Sequence, residues 1–396
     1  MSQRLIDRNP DLKRLRDEGF DVEVRKSYLL LKDVPYVDAN RTVRRGILAS
    51  ELSLSGDLTI PPATHVIHFA GEFPCDAGGK PIEGLRHASA TQDLGCGVVS
   101  QHTFSSKPQA GYEDFYEKMT TYAAILSAPA HKIDPTALAT TYPAIQADSD
   151  EGVFVYVDTA TSRAGIAGLT FKLENQRIAI VGAGGTGSYV LDLVAKTPVP
   201  EIHLFDADVF SQHNAFRAPG AASVEDLQRQ ALKVEYLHEQ YSRMHRHIVA
   251  HPCRVTASNC SDLDGMTCVF LCIDDSPAKR PIIAHLEREG IPFVDVGLGV
   301  QIVDDQILGI VRVTTSTPAQ RQHVHEKGRI SFVGSATNEY TRNIQIADLN
   351  ALNATLAVIK WKKLCGFYAD LDREHHCLYT IDGNHMTNED RPCPPT

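Results

Sequence analysis

The chain of 396 residues lacks any uninterrupted apolar run of about 18 residues, the length needed for a membrane-crossing helix. Its opening segment, MSQRLIDRNPDLKRLRDEGF, is charged and has no apolar stretch of the kind that directs secretion, so a cytoplasmic protein is expected. Positive charge is the minority, with 39 Lys and Arg against 49 Asp and Glu and a net charge of −10. That balance works against nonspecific binding to nucleic acid or to an anionic membrane, and neither is expected as a partner. No C-x-x-C pair occurs, so a structural zinc site built on such pairs is not expected. Among the 9 cysteines, Cys268 and Cys272 share one face of a predicted buried strand and read as small core residues. His375, His376, Cys377, His385 and Cys393 form a loose, irregularly spaced cluster with two readings, a metal site and a disordered polar tail, of which the tail is favoured.

Length and a 43% hydrophobic content allow two domains and a large core. Residues 1–150 read as an α+β domain. A helix around Pro10 to Glu18 opens it, stretches such as SYLLLKDV and HVIHFAGEF form strands, and a helix follows near residues 111–127. The segment HKIDPTALATTYPAIQADSDE, rich in Ala, Pro, Thr and Asp, reads as a linker. From residue 151 to 377 strands and helices alternate, which predicts an α/β fold with a doubly wound, mainly parallel sheet. In this stretch IPFVDVGLGVQIVDD and ILGIVRVTT read as strands and NALNATLAVIKWKKLCGFY as a closing helix, while residues 378–396 read as the polar C-terminal tail.

The segment RIAIVGAGGTGSYVLDLVAKTPVPEIHLFDADVFSQHNAFR carries the chemistry. Gly182, Gly184 and Gly187 stand as G-x-G-x-x-G between a strand and a helix, where tight turning and exposed N–H groups suit phosphate. Asp206 follows Gly187 by 19 residues, at the end of the next strand, where a carboxylate can accept hydrogen bonds from ribose hydroxyls. Asp208, Asn214 and Arg217 then fall within a few residues, and Lys233 lies one short helical stretch beyond.

This pattern, together with Gly185 and with Asp274 in LCIDDSP, resembles the ThiF/MoeB and ubiquitin-activating superfamily over about residues 162–366. The resemblance implies a Rossmann-like adenylation domain that binds ATP and Mg²⁺. It activates the C-terminal carboxylate of a ubiquitin-like or sulfur-carrier protein with loss of pyrophosphate. In that chemistry Arg217 and Lys233 compensate charge on the phosphates, Asn214 donates a neutral hydrogen bond, and Asp274 holds Mg²⁺. Asp275 stands where many relatives have Asn. The resemblance further implies a homodimer, with Arg163 as an arginine finger reaching the partner's site. The first domain is then a recognition module for the substrate protein or a conjugating enzyme, as in bacterial ubiquitin-like conjugation systems.

One departure limits the analogy. The stretch from Thr315 to about Asn343 reads as a polar loop, and where ubiquitin-activating relatives carry an acyl-accepting cysteine it contains none. The acyl group is therefore expected to pass to an external nucleophile. The other route would use Thr315, Ser316 or Thr317 with His323 or His325 as base. Two further readings stand against the whole assignment. An NAD-dependent oxidoreductase would employ Asp206 but leave Asn214, Arg217, Lys233 and Asp274 without roles. A catalytically inactive scaffold would be expected to have lost some of them.

Overall fold

The computed structural model describes residues 2–147, 152–274, 276–332 and 345–391. The chain forms two compact units, one of residues 1–151 with 156–165 and the other of residues 152–155 with 166–396. The first contains six strands in one antiparallel sheet: β1 (Asp21–Arg25), β2 (Tyr28–Val37), β3 (Val43–Glu51), β6 (Val66–Ala70), β8 (Val99–Ser105) and β7 (Arg86–Asp93), in that spatial order. A separate small hairpin joins β4 (Leu54–Ser55) to β5 (Leu58–Thr59).

The helix Phe115–Ile133 packs on this sheet because Phe115, Met119, Tyr122, Ala123, Leu126 and Ala130 recur at helical spacing and are buried. Asp114 caps it by accepting the Glu117 N–H at 2.8 Å. This helix ends at Ile133, three residues into the segment read from composition as a linker. Ala137 beyond it is buried, and the Tyr142 N–H donates to the Gly19 carbonyl. On the same helix Lys118 is fully buried and donates to Ser50 Oγ, the Thr64 carbonyl and the Val66 carbonyl at 2.8–2.9 Å.

The second unit is built on an eight-stranded sheet. Its order is β11 (Ile248–His251), β10 (Glu201–Phe205), β9 (Arg177–Val181), β12 (Cys268–Leu271), β13 (Phe293–Val303), β14 (Gln306–Ser316), β15 (His376–Thr380) and β16 (His385–Glu389). The first five are parallel and the last three antiparallel, so the expected doubly wound, mainly parallel sheet is present. Ile178, Ala179, Ile180 and Val181 of β9 and all of β12 are buried, as central parallel strands covered on both faces must be. The closing helix Ala347–Leu364 brings Trp361 edge-on to Phe270 of β12.

Two expectations fail here. The segment read as a polar tail contributes β15 and β16 to the sheet, with Cys377 opposite Val313. Its polar residues are partnered: His376 Nδ1 lies 3.0 Å from Thr314 Oγ1, and Asp390 pairs with Lys327 and Arg329. Thr315 and Ser316 are not in a loop either; they end β14 and are buried.

Candidate nucleotide-binding site

Strands β9, β10 and β12 run parallel and in register, so Gly182, Asp206 and the Cys272–Asp274 segment all emerge at one carboxyl-terminal edge, where open α/β sheets bind ligands. Gly182 has φ +96°, and a methyl there would stand 2.8 Å from the Cys272 carbonyl oxygen. At Gly187 a methyl would collide with the Gly182 carbonyl, which is the close packing of turn on helix that the third glycine of the motif allows. Gly184, the N-cap of the helix Gly185–Val194, faces open space instead.

Asp206 secures this turn. Its Oδ2 accepts the Ala183 N–H at 2.8 Å and its Oδ1 accepts the Asp208 N–H at 2.8 Å. Lys233, the first residue of the helix Lys233–Tyr241, donates to Asp208 Oδ2 at 2.8 Å and reaches Asp206 Oδ1 at 3.5 Å. That hydrogen bond, assisted by Arg254 at 3.1 Å, holds the Asp208 carboxyl below its ordinary range.

Asn214 and Arg217 complete the rim. Asn214 is buried, its Oδ1 accepting the Ser211 N–H at 2.8 Å, while its Nδ2 has no partner. Arg217 Nε is likewise buried without a partner. Burial lowers the Arg217 pKa, and the nearby Asp274 partly restores it. The Arg217 carbonyl accepts from Asn350 Nδ2 at 3.5 Å, and Asn350 Oδ1 accepts from Thr186 Oγ1 at 2.9 Å, so this rim is tied to the start of the glycine-turn helix. Two buried donors are thus left unpaired on the segment that Asn350 ties to the glycine-turn helix.

Mg²⁺ fits what is present. Exposed Asp274 offers a hard carboxylate beside the Arg217 cation, and among the described residues no three His, Cys, Asp or Glu side chains form a protein cage. A single carboxylate plus phosphate oxygens is the usual setting for this cation. Asp275 lies outside the described residues, as do Cys393 and residues 333–344 of the segment that follows β14.

A family model described as the ThiF family matches residues 159–371, more than half of the chain. The chain belongs to the ThiF family. A second model, a domain of unknown function designated DUF6791, matches residues 10–159. Among curated proteins, the adenylyltransferase and sulfurtransferase UBA4 of Saccharomyces cerevisiae (strain YJM789) is 32% identical over 149 residues, 37% of this chain and 31% of that protein. UBA4 of Eremothecium gossypii is 29% identical over 141 residues, 35% of this chain and 29% of that protein. The chain thus spans about a third of the length of these relatives. Among solved structures, Escherichia coli MccB with ATP is 16% identical at a TM-score of 0.46, over 58% of this chain and 67% of that one. PaaA is 14% identical at 0.45, over 56% and 75%.

Within this ThiF unit, sequence reasoning missed Thr186, Asn350 and Arg254. Asn350 and Asn353 are polar residues three apart on the buried face of their helix, a signal that was available. Arg163 belongs to the first unit, where it ends the helix Thr159–Arg163 with its guanidinium 5.5 Å from the Tyr142 ring centre. Burial pushes the Cys272 thiol up to about 12 and raises that of Cys268 as well, as befits small core residues. His325 is engaged by Glu287 at 2.9 Å.

Proposed function

We propose that this chain is an ATP-dependent adenylyltransferase that activates the C-terminal carboxylate of a ubiquitin-like or sulfur-carrier protein. The observation that carries the reading is the pair of buried, unpartnered donors, Asn214 Nδ2 and Arg217 Nε, beside a glycine turn secured by Asp206. A carboxylate oxygen of the substrate attacks the α-phosphorus of ATP, and the bond to pyrophosphate breaks. Arg217 and Lys233 oppose the charge that builds on the phosphate oxygens, Asn214 adds a neutral donor, and Asp206 accepts from the ribose. Lys233 exchanges its contact with Asp208 for phosphate. Bound through Asp274, Mg²⁺ would supply further neutralisation of the phosphates.

Arg163 acts as an arginine finger across a homodimer, and the acyl group leaves to an external nucleophile. The buried positions of Thr315 and Ser316 favour that route over an internal oxyester. The first unit serves as the recognition module, with a conjugating enzyme as a further partner, and the protein works in the cytoplasm. The test is pyrophosphate exchange into ATP with Mg²⁺, using small proteins that end in glycine as substrates, followed by mass spectrometry of the enzyme. Exchange without a covalent adduct is the expected result. Tight NAD binding and no exchange would overturn the reading in favour of an oxidoreductase.

A further inference from the structure

The closing helix Ala347–Leu364 buries an amide where an apolar side chain would pack more cheaply. Asn350 is 1% exposed and shares the buried face of this helix with Asn353, Ala354, Ala357 and Trp361. A buried amide costs free energy unless its N–H groups and oxygen find partners, so the partners of Asn350 identify what it holds.

Both ends of that amide reach the nucleotide site. Oδ1 accepts from Thr186 Oγ1 at 2.9 Å, in the first turn of the helix Gly185–Val194. Nδ2 donates to the Arg217 carbonyl at 3.5 Å, the long end of the hydrogen-bonding range. The shorter bond orients the amide and so aims Nδ2 at the carbonyl. Gly185 lets the amide come so close: a methyl on that residue would stand 2.2 Å from Asn350 Nδ2 and 2.6 Å from its Cγ. In this chain Gly185 is the socket into which Asn350 fits.

Arg217 needs such an anchor. It follows the short helix Gln212–Ala215, its N–H donates to the Asn214 carbonyl at 3.0 Å, and its Nε has no partner. The Asn214 bond is local to the loop and does not set how far the loop stands from the glycine turn. Asn350 bonds to both sides and therefore does. Preorganised charge works only at a fixed place, and a displacement of about 1 Å can cost on the order of 10² in rate.

We infer that Asn350, oriented by Thr186, is a positioning residue for Arg217. It holds the backbone of this cation at the distance from the glycine turn at which the guanidinium meets the phosphates of ATP. The inference rests on the adenylation reading and adds to it a residue that acts through Arg217 without touching the nucleotide.

The test is calorimetric titration of the full chain with ATP and Mg²⁺. Asn350→Leu keeps the side-chain volume, removes both bonds and should weaken ATP about 3- to 10-fold, the range for one net hydrogen bond. Arg217→Ala should weaken it about 10- to 100-fold, as for a bond from a charged group. Adding Asn350→Leu to Arg217→Ala should cost less than about 2-fold more, because the group it positions is already gone. A merely structural role would multiply the two effects, and that result would overturn the inference. Thr186→Val loses the hydroxyl and should match Asn350→Leu, while Thr186→Ser keeps it and should bind like the native protein. Both threonine variants leave Asn350 in place, so they decide the matter even if Asn350→Leu folds poorly by Trp361 fluorescence. Native affinity in Thr186→Val would overturn this inference alone. A native protein that binds no ATP would overturn the adenylation reading with it.

Discussion

Arg217→Ala separates function from stability, because the structure makes Arg217 a costly residue for the folded state. Its Nε is buried without a partner, and burial lowers its pKa even with Asp274 nearby. Leaving a buried donor unpaired costs about 1–3 kcal/mol, and partial exposure of the guanidinium places this case at the low end. Truncation removes that cost and forfeits the attraction to Asp274, for a net change between zero and a gain of about 1 kcal/mol. In a unit of this size that corresponds to a midpoint unchanged or raised by up to roughly 4 °C. The single tryptophan, Trp361, lies in the core of the second unit, so its fluorescence reports the melting of the unit that holds Arg217. Pyrophosphate exchange should meanwhile fall on the order of 10²- to 10³-fold, as for loss of a preorganised donor at a developing charge. A fall of the Trp361 midpoint by more than about 5 °C would show that Arg217 holds the fold together, and the reasoning would be refuted.

The glycine turn offers a paired test: Gly184→Ala should melt like the native protein yet bind ATP more weakly by calorimetry, since its methyl enters open space at the turn. Gly187→Ala should destabilise the unit outright, through collision with the Gly182 carbonyl; equal behaviour of the two variants would contradict the geometry. Buried His375 and His376 have pKa values lowered to about 4, mainly by desolvation. The unfolded chain takes up these protons near pH 6.5, so stability is complete above about 6.5, declines as pH falls toward 4, and levels off below that. The loss should be on the order of 3 kcal/mol per histidine, and denaturant titrations followed through Trp361 fluorescence at pH 7 and 4.5 that coincide would exclude it. In the first unit, Lys118→Met should cost on the order of 2 kcal/mol by circular dichroism, because Ser50 Oγ and the Thr64 and Val66 carbonyls lose their donor; a neutral effect would show those groups satisfied otherwise.

The glycine motif, Asp206 at the end of the next strand and the alternation of strands and helices were legible because each depends on neighbours close in sequence. Tight turns need glycine, and a parallel sheet places successive strand ends on one edge. Compositional cues misled where polar residues find partners far along the chain. His376 meets Thr314 across β14, and Asp390 meets Lys327 and Arg329, so a segment that looked like a tail is two strands. Within the segment read as a linker, Ala137 is a buried core residue as small as those of a loop.

By itself the sequence determined the fold class and the kind of chemistry this chain is equipped for, since turn glycines, strand-end carboxylates and periodic apolar residues act through local geometry. Only the tertiary structure decided how the charges are shared. It paired Lys233 with Asp208, left Asn214 Nδ2 and Arg217 Nε buried and unpaired, and set Asn353 beside the Lys279–Asp295–Arg312 triad. Those relations join residues up to 74 positions apart, as between Lys279 and Asn353, and burial sets their energies. Spacing along the chain does not encode burial.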